Sequence, residues 1–416
     1  MASTERGLPP VLLQFAWAMA AMAAVSFVYS MAMTLLLHAP HAYGVTLFRD
    51  GFVGSDFNVF GERSQHFGQS SYWNDFQYPF TYPALLAVVF AVLFRLPQPL
   101  AIYWMICVAG FLAWAMWLYR GLDSANIKSS HAKAFVTLCL VASWPVAVLL
   151  NTGNIEGLLA IVLAVGVYAV LRERFWLGAT LIGIAAAMKL YPFILLALLI
   201  SRRRYRELAW GVAVAAIATL ASLKALGPSI WSAQRHIFDG LRFVNEAFIL
   251  STQRDALNYS HSLFSVLKFG IAGSLRLFGS QATYGLLNTT LRVYMVFAAI
   301  AGIALYFGII RKLPVLNQVL ALTICAVLLP PLSADYTLLE LMLPFGLLCL
   351  YAVESGRNDL AALFGCFAIL FAWETFLTVR YSFDRPVRAV ALTGLLILVL
   401  RTPMPWTQLE SAETSG

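Results

Sequence analysis

Four carboxylates, Asp50, Asp56, Glu62 and Asp75, fall in one polar stretch, 38–80, that runs into the aromatic and proline-rich Tyr78-Pro79-Phe80-Thr81-Tyr82-Pro83. A carboxylate at a membrane entrance can take the proton of a hydroxyl as that hydroxyl attacks an activated sugar carbon, the step a single-displacement glycosyl transfer requires. Asp56 is set in Gly54-Ser55-Asp56-Phe57-Asn58-Val59-Phe60. Each of these acids is otherwise an ordinary solvated loop residue, and residue type alone does not choose among them. Lys189 is a different signal. It sits between two apolar half-helices beside Tyr191-Pro192, and the proline breaks the helix. An ammonium there needs a counter-charge or water: a lipid phosphate or diphosphate is one partner, and snorkelling to headgroups or a helix-end carbonyl is the plain alternative.

Three further polar clusters stand out. Asn258-Tyr259-Ser260-His261-Ser262 offers an amide, hydroxyls and an imidazole to sugar or phosphate oxygens, or simply caps a helix. Asn151-Thr152-Gly153-Asn154 is a tight turn, and Pro330-Pro331-Leu332-Ser333-Ala334-Asp335-Tyr336 breaks two apolar runs where a cavity roof belongs. We place Tyr82, Asn258 and His261 with Lys189 as donor-binding residues, and Asn151, Asn154 and Asp335 as acceptor-binding or cavity-lining ones. Glu340 and Glu374 lie within apolar runs, which makes each a candidate for function. The other histidines (His38, His41, His66, His131, His236) show no HxH or HExxH spacing, and no nucleotide-binding glycine loop is present. The five cysteines lie in apolar runs with no CxxC pair, as buried packing residues do. No metal and no cofactor is expected.

The elements that must hold these residues are membrane helices. Of the 416 residues 61% are hydrophobic and only 12% charged, about half the charge of a soluble domain. The net charge of +8 sits in short clusters beside apolar runs, which reads as membrane topology and excludes nucleic-acid binding. Apolar stretches predict spans near 12–37, 100–119, 134–150, 157–171, 207–226, 287–310, 315–333, 336–354, 359–377 and 388–404. The first, longer than a signal-peptide core, is read as a retained span. The broken run 176–200 has Arg172 and Arg174 before it and Arg202, Arg203, Arg204 and Arg206 after it. The positive-inside rule puts both flanks in the cytoplasm, so two short helices rise to Lys189 and return. Parity then requires that 81–95 does not cross but lies as a re-entrant or juxtamembrane helix. The expectation is an all-α polytopic membrane protein with about 12 transmembrane helices in one domain, residues 1–416, both termini cytoplasmic. Long outer loops cover 38–80 and 227–286, and an interfacial helix at 259–278 is interrupted by Lys268 and Arg276.

The order of these motifs resembles a known family. Ser55-Asp56-Phe57 in a large first outer loop, a YPxxYP-like entry, Pro145 followed by Asn151-Thr-Gly-Asn154, Ala185-Ala-Ala-Met-Lys189-Leu-Tyr-Pro192 with arginines after it, and Asn258-x-Ser-x-Ser262-Leu263 are similar to the polyprenol-phosphate-mannose-dependent mannosyltransferases of glycosyltransferase family 87, of the GT-C class. The resemblance covers most of the chain. It implies a GT-C-type bundle with juxtamembrane helices and a polyprenyl-phosphate sugar donor. It also implies inverting transfer to a lipid or glycan acceptor hydroxyl at the outer face of the plasma (inner) membrane, among membrane lipids. Asp56 matches the family's catalytic carboxylate, and Lys189 takes a donor-phosphate role. The family's GQxN-like turn is here Asn151-Thr-Gly-Asn154, and Tyr259 and His261 fill variable positions, so acceptor and sugar are left open. The rival class is a secondary transporter or flippase, whose related halves and mid-membrane ionisable groups do not show in this chain.

Overall fold

The computed structural model describes residues 5–36, 53–73, 79–227, 229–257, 259–373 and 384–406. Asp50, Asp75, Asn258 and Glu374 lie outside the described residues. The described chain is helical throughout apart from turns and one isolated bridge between Arg6 and Ile127. In order come α1 (Pro10–Leu36), the small α2 (Ser55–Asn58) and α3 (Gly61–Gln65), α4 (Ala84–Leu93), α5 (Pro99–Ser124), α6 (Ser129–Val141) and α7 (Trp144–Thr152). Then follow α8 (Glu156–Leu171), α9 (Phe175–Met188), α10 (Ala197–Ser201), α11 (Tyr205–Leu226), α12 (Ile230–Val244), α13 (Arg254–Leu257) and α14 (Leu263–Leu277). The last five are α15 (Tyr284–Gly308), α16 (Val315–Leu328), α17 (Met342–Ser355), α18 (Ala361–Phe371) and α19 (Asp384–Arg401).

The chain is a polytopic membrane protein. Among the described residues five helices are long and apolar enough to cross a bilayer: Pro10–Tyr29, Pro99–Ser124, Tyr205–Leu226, Tyr284–Lys312 and Asp335–Ser355. The pair α6 and α7, bent by 50°, makes a sixth if it is one span. Its bend has a local cause, since Pro145 has no N–H to give Val141, the last residue of α6, and its ring clashes with that carbonyl. Six other apolar helices, among them α4, α8, α9, α16 and α18, are 10–17 residues long. Outward apolar side chains on α15, such as Phe297 and Ile300, face the lipid, while α16 is buried along its whole length.

The broken run 176–200 is the hairpin that its flanking arginines predict. Helix α9 ends at Lys189, whose backbone turns extended, and a 3₁₀ turn over Tyr191–Leu196 leads back through α10. The Arg204 guanidinium lies 4.5 Å from the ring centre of Phe175, so the two arginine clusters meet at one end of the molecule and Lys189 is at the other. The pairing of α9 with α11 depends on glycine, because a Cβ on Gly183 would stand 2.4 Å from the carbonyl oxygen of Gly211. Helix α4 is short as well. Its ten residues span about 15 Å, half a bilayer core, and both ends touch the same loop. Tyr82 before it packs on Phe60 at 5.5 Å, and Phe94 after it packs on Phe57 at 4.8 Å.

Two expectations need correction. Lys268 does not interrupt an interfacial surface: it is 1% exposed and turned inward from α14. The bare apolar side of that helix is instead its far end, where Leu277 and Phe278 stand free. Of the cysteines, four are buried and Cys366 is half-buried.

Candidate active site

The site grows from the turn between α7 and α8. Gly153 takes a left-handed backbone (φ 68°) that closes the turn, and a Cβ there would lie 3.1 Å from Phe57 Cβ and 3.3 Å from Gly54 Cα. The first loop therefore seats directly on the turn, and Gly54 N donates to Asn151 O at 2.8 Å. Behind it, Phe57 packs between Phe90, Phe94 and Tyr103. That apolar anchorage presents the neighbouring Asp56 to the turn.

Asp56 Oδ2 accepts a hydrogen bond from Asn154 Nδ2 at 2.8 Å. The Asn154 amide has one orientation available, because its Oδ1 accepts from the backbone N–H of Glu156 at 3.1 Å. The Tyr103 hydroxyl donates to Asn154 O and fixes the turn from below. Burial raises the Asp56 carboxyl above its ordinary range, while Asn154, Lys189 and Thr152 work against the rise. Glu62, by contrast, is exposed. The structure thus separates two loop acids that residue type left equal.

Lys189 lies in the same constellation. Its ammonium pairs with the carboxylate of Glu156, which opens α8 and is fully buried. It also lies 5.4 Å from the ring centres of both Tyr82 and Tyr336. The Tyr191 hydroxyl donates to Glu156 and stands 3.1 Å from Glu340 Oε1, so Glu340 joins the site through one tyrosine. Tyr259 meets Tyr336 hydroxyl to hydroxyl at 3.2 Å. Burial raises the Tyr82 and Tyr259 phenols, which keeps both protonated as hydrogen-bond donors at neutral pH.

His261 and Asp335 form a second, adjoining cluster. The His261 Nε2 lies 3.0 Å from Ser333 Oγ and 3.4 Å from Thr337 Oγ1, and its Nδ1 is 3.5 Å from Asp335 Oδ1. Burial lowers the imidazole pKa, with Asp335 opposing and Arg388 and Arg385 adding to the fall, so His261 enters as a neutral hydrogen-bonding group. Asp335 Oδ2 accepts a hydrogen bond from Trp144 Nε1 at 2.7 Å and forms ion pairs with Arg385, whose Nη2 is 2.8 Å away, and with Arg388, whose Nη1 is 2.7 Å away. Asp335 is buried as the centre of this ion-pair group, because an anion in an apolar interior persists only with cations beside it. Helix α7 joins the clusters, with Trp144 at one end and Asn151 at the other, about 10 Å apart.

Asp56, Asn154, Lys189 and Tyr82 come together as one group, and Asn151 supports it through its backbone. His261 is next to that group but directs its ring into the second cluster. Sequence reasoning passed over Glu156, Tyr103, Trp144, Arg385 and Arg388, and it named Tyr191 and Tyr336 within motifs without giving either a role of its own. Glu156 had a signal: a lysine between apolar half-helices calls for a carboxylate at the same depth, and Glu156 opens an apolar helix at that level.

Residues 80–334, more than half of the chain, match the sequence profile of glycosyltransferase family 87. The chain belongs to glycosyltransferase family 87. A Mycobacterium tuberculosis (strain CDC 1551 / Oshkosh) protein named polyprenol-phosphate-mannose-dependent alpha-(1-2)-phosphatidylinositol pentamannoside mannosyltransferase is 31% identical over 156 residues. That alignment takes in 37% of this chain and 35% of the relative, so it spans about a third of the relative's length. The family-87 match runs from Phe80 to Ala334 and contains Tyr82, the 151–154 turn, Glu156, Lys189 and His261. Asp56 lies before it, and Asp335, Arg385 and Arg388 lie after it.

Proposed function

We propose that this family-87 chain transfers a hexose, mannose in the first instance, from a polyprenyl-phosphate donor to a hydroxyl of a lipid or glycan acceptor. The observation that carries the reading is Asp56, held by Asn154 beside the Lys189–Glu156 pair. In this mechanism Asp56 Oδ1, the oxygen that Asn154 leaves open, takes the acceptor proton as the hydroxyl attacks the anomeric carbon. The lipid phosphate leaves from the opposite face, which inverts the anomeric centre without a covalent enzyme intermediate. Lys189 faces the departing phosphate over Tyr82 and Tyr336, with His261 beyond; Asn258, which lies outside the described residues, keeps its proposed donor-binding role from the sequence alone. Asn151 and Asn154 border the acceptor side. The deciding experiment is a transfer assay with purified protein, radiolabelled polyprenyl-phosphate sugars and a lipid extract of the source cells, in which absence of any labelled lipid or glycan product refutes the reading.

The protonation state of Asp56 gives a second test. A base must be ionised, and burial raises its pKa, so kcat/KM should fall on the acid side at a pH above the ordinary aspartate range. Asn154→Ala removes a hydrogen bond that favours the ionised form and should move this acid limb higher still, in a protein that melts somewhat earlier because the buried Glu156 N–H also loses its acceptor. An acid limb that stays put in Asn154→Ala would separate Asn154 from the base.

The proposed topology counts the short apolar helices as paired or broken crossings, about 12 in all, in the plasma membrane. The site end is outside and the arginine end cytoplasmic. In a chain freed of its own cysteines, Arg174→Cys and Tyr205→Cys should be protected from an impermeant thiol reagent in intact cells. Gln253→Cys, exposed in the second loop, should label. Labelling of either arginine-end position refutes this orientation.

A further inference from the structure

Outside the site, the described residue whose burial most needs explaining is Lys268. Its ammonium donates to three backbone carbonyls, Phe248 O at 2.9 Å, Ser251 O at 3.1 Å and Ala256 O at 3.1 Å. Three donors meet three acceptors, which is the full capacity of a lysine. The acceptors converge because the segment has no continuous helix. A π turn covers Asn245–Ile249, α13 is a single turn over Arg254–Leu257, and the carbonyls at such breaks lack the partners a regular helix supplies. A cation at these carbonyl ends is electrostatically favoured.

What the ammonium grips leads to the site. The Phe248 ring packs on Tyr259 with centroids 5.1 Å apart, Tyr259 meets the hydroxyl of Tyr336, and the Tyr336 ring faces Lys189. Helix α14, which carries Lys268, is fixed at its other end to the same neighbourhood. Its cap Ser262 donates to Pro331 O at 2.9 Å, and His261 N donates to Ser333 O at 2.9 Å. One helix therefore holds both the 248–256 segment and the 331–337 segment, and Tyr259, just before that helix, touches Phe248 of the first and Tyr336 of the second.

We propose that Lys268 is a positioning residue for donor binding: its ammonium clamps the 248–256 segment and, through Phe248 and Tyr259, sets Tyr336 against Lys189. Lys268 touches no reacting group in this arrangement and acts only through the tyrosines. The inference rests on the reading of this end as the donor site.

The test measures donor KM and kcat with purified protein and polyprenyl-phosphate mannose for the parent, Lys268→Met, Tyr259→Phe and the double variant. Lys268→Met should raise donor KM by about tenfold with kcat within about threefold, since it loosens binding rather than chemistry. Tyr259→Phe should raise KM in the same direction. The double variant should be no worse than Lys268→Met alone, because both changes break one chain of contacts. Additive losses in KM, or a Lys268→Met protein with parental KM, overturn the proposal. If Lys268→Met does not fold, Phe248→Ala leaves the clamp intact and removes its link to Tyr259. A raised donor KM in that variant supports the inference, and a parental one overturns it. A parent protein that transfers no sugar sinks the functional reading itself, whereas an active parent with indifferent variants sinks only the clamp.

Discussion

Asp56→Asn is expected to give a folded protein that binds donor and transfers sugar ~10² to 10⁴-fold more slowly, the usual loss when a general base is removed. The substitution keeps the size of the side chain, and an amide oxygen in place of Oδ2 still accepts from Asn154 Nδ2, so the seat of the first loop on the 151–154 turn is retained. What disappears is the basic oxygen. Loss of a buried negative charge also relieves desolvation, which argues against any drop in stability. Glu62→Gln is the internal control: Glu62 is exposed and should stay near the parent rate, and Asp75→Asn is expected to do the same. Parental transfer by Asp56→Asn in a folded sample, or a greater loss at Glu62 or Asp75, would show that another group is the base.

The parts of the architecture that were legible in the sequence are those where one local force dominates. Arginines on both flanks of 176–200 demanded a hairpin, and the contact of Arg204 with Phe175 is that hairpin closed. The 81–95 run, short and proline-bounded, folds as the ten-residue α4, and Phe57 and Phe60 hold its two ends. Lys189 was visible because an ammonium between apolar segments needs a counter-charge, water or a carbonyl. Its partner carried only a faint signal. Glu156 opens an apolar helix after a turn that contains no other charge, and only the folding of α8 against α9 brings it to Lys189. The same holds for Asp335, which reads as a loop acid until Arg385 and Arg388, fifty residues on, pack against it. Long-range pairing of charges is set by helix packing, which periodicity does not encode. Lys268 misled for a related reason: in a helix with one apolar side a lysine reads as the wet side, yet here its acceptors come from another segment.

The pairing of Lys189 with Glu156 changes what a lysine substitution should do, and it separates two roles that a single variant would confuse. Lys189→Met leaves the Glu156 carboxylate, with a side chain 0% exposed, without its cation. Breaking a buried pair from one side typically costs ~3 to 5 kcal/mol, so the single variant should express poorly and melt earlier. Adding Glu156→Gln neutralises the stranded carboxylate, and the amide can still meet the Tyr191 hydroxyl. The double variant Lys189→Met with Glu156→Gln should therefore regain most of the lost stability. It should not regain donor binding, because the cation that faces the lipid phosphate is still missing. Melting temperature and the affinity for polyprenyl-phosphate mannose, measured on the same preparations, read the two effects apart. Recovery of both in the double variant would mean that Lys189 serves only to balance Glu156, and the donor phosphate would then have to be held elsewhere, with the partly exposed Arg385 of the adjoining cluster as a candidate.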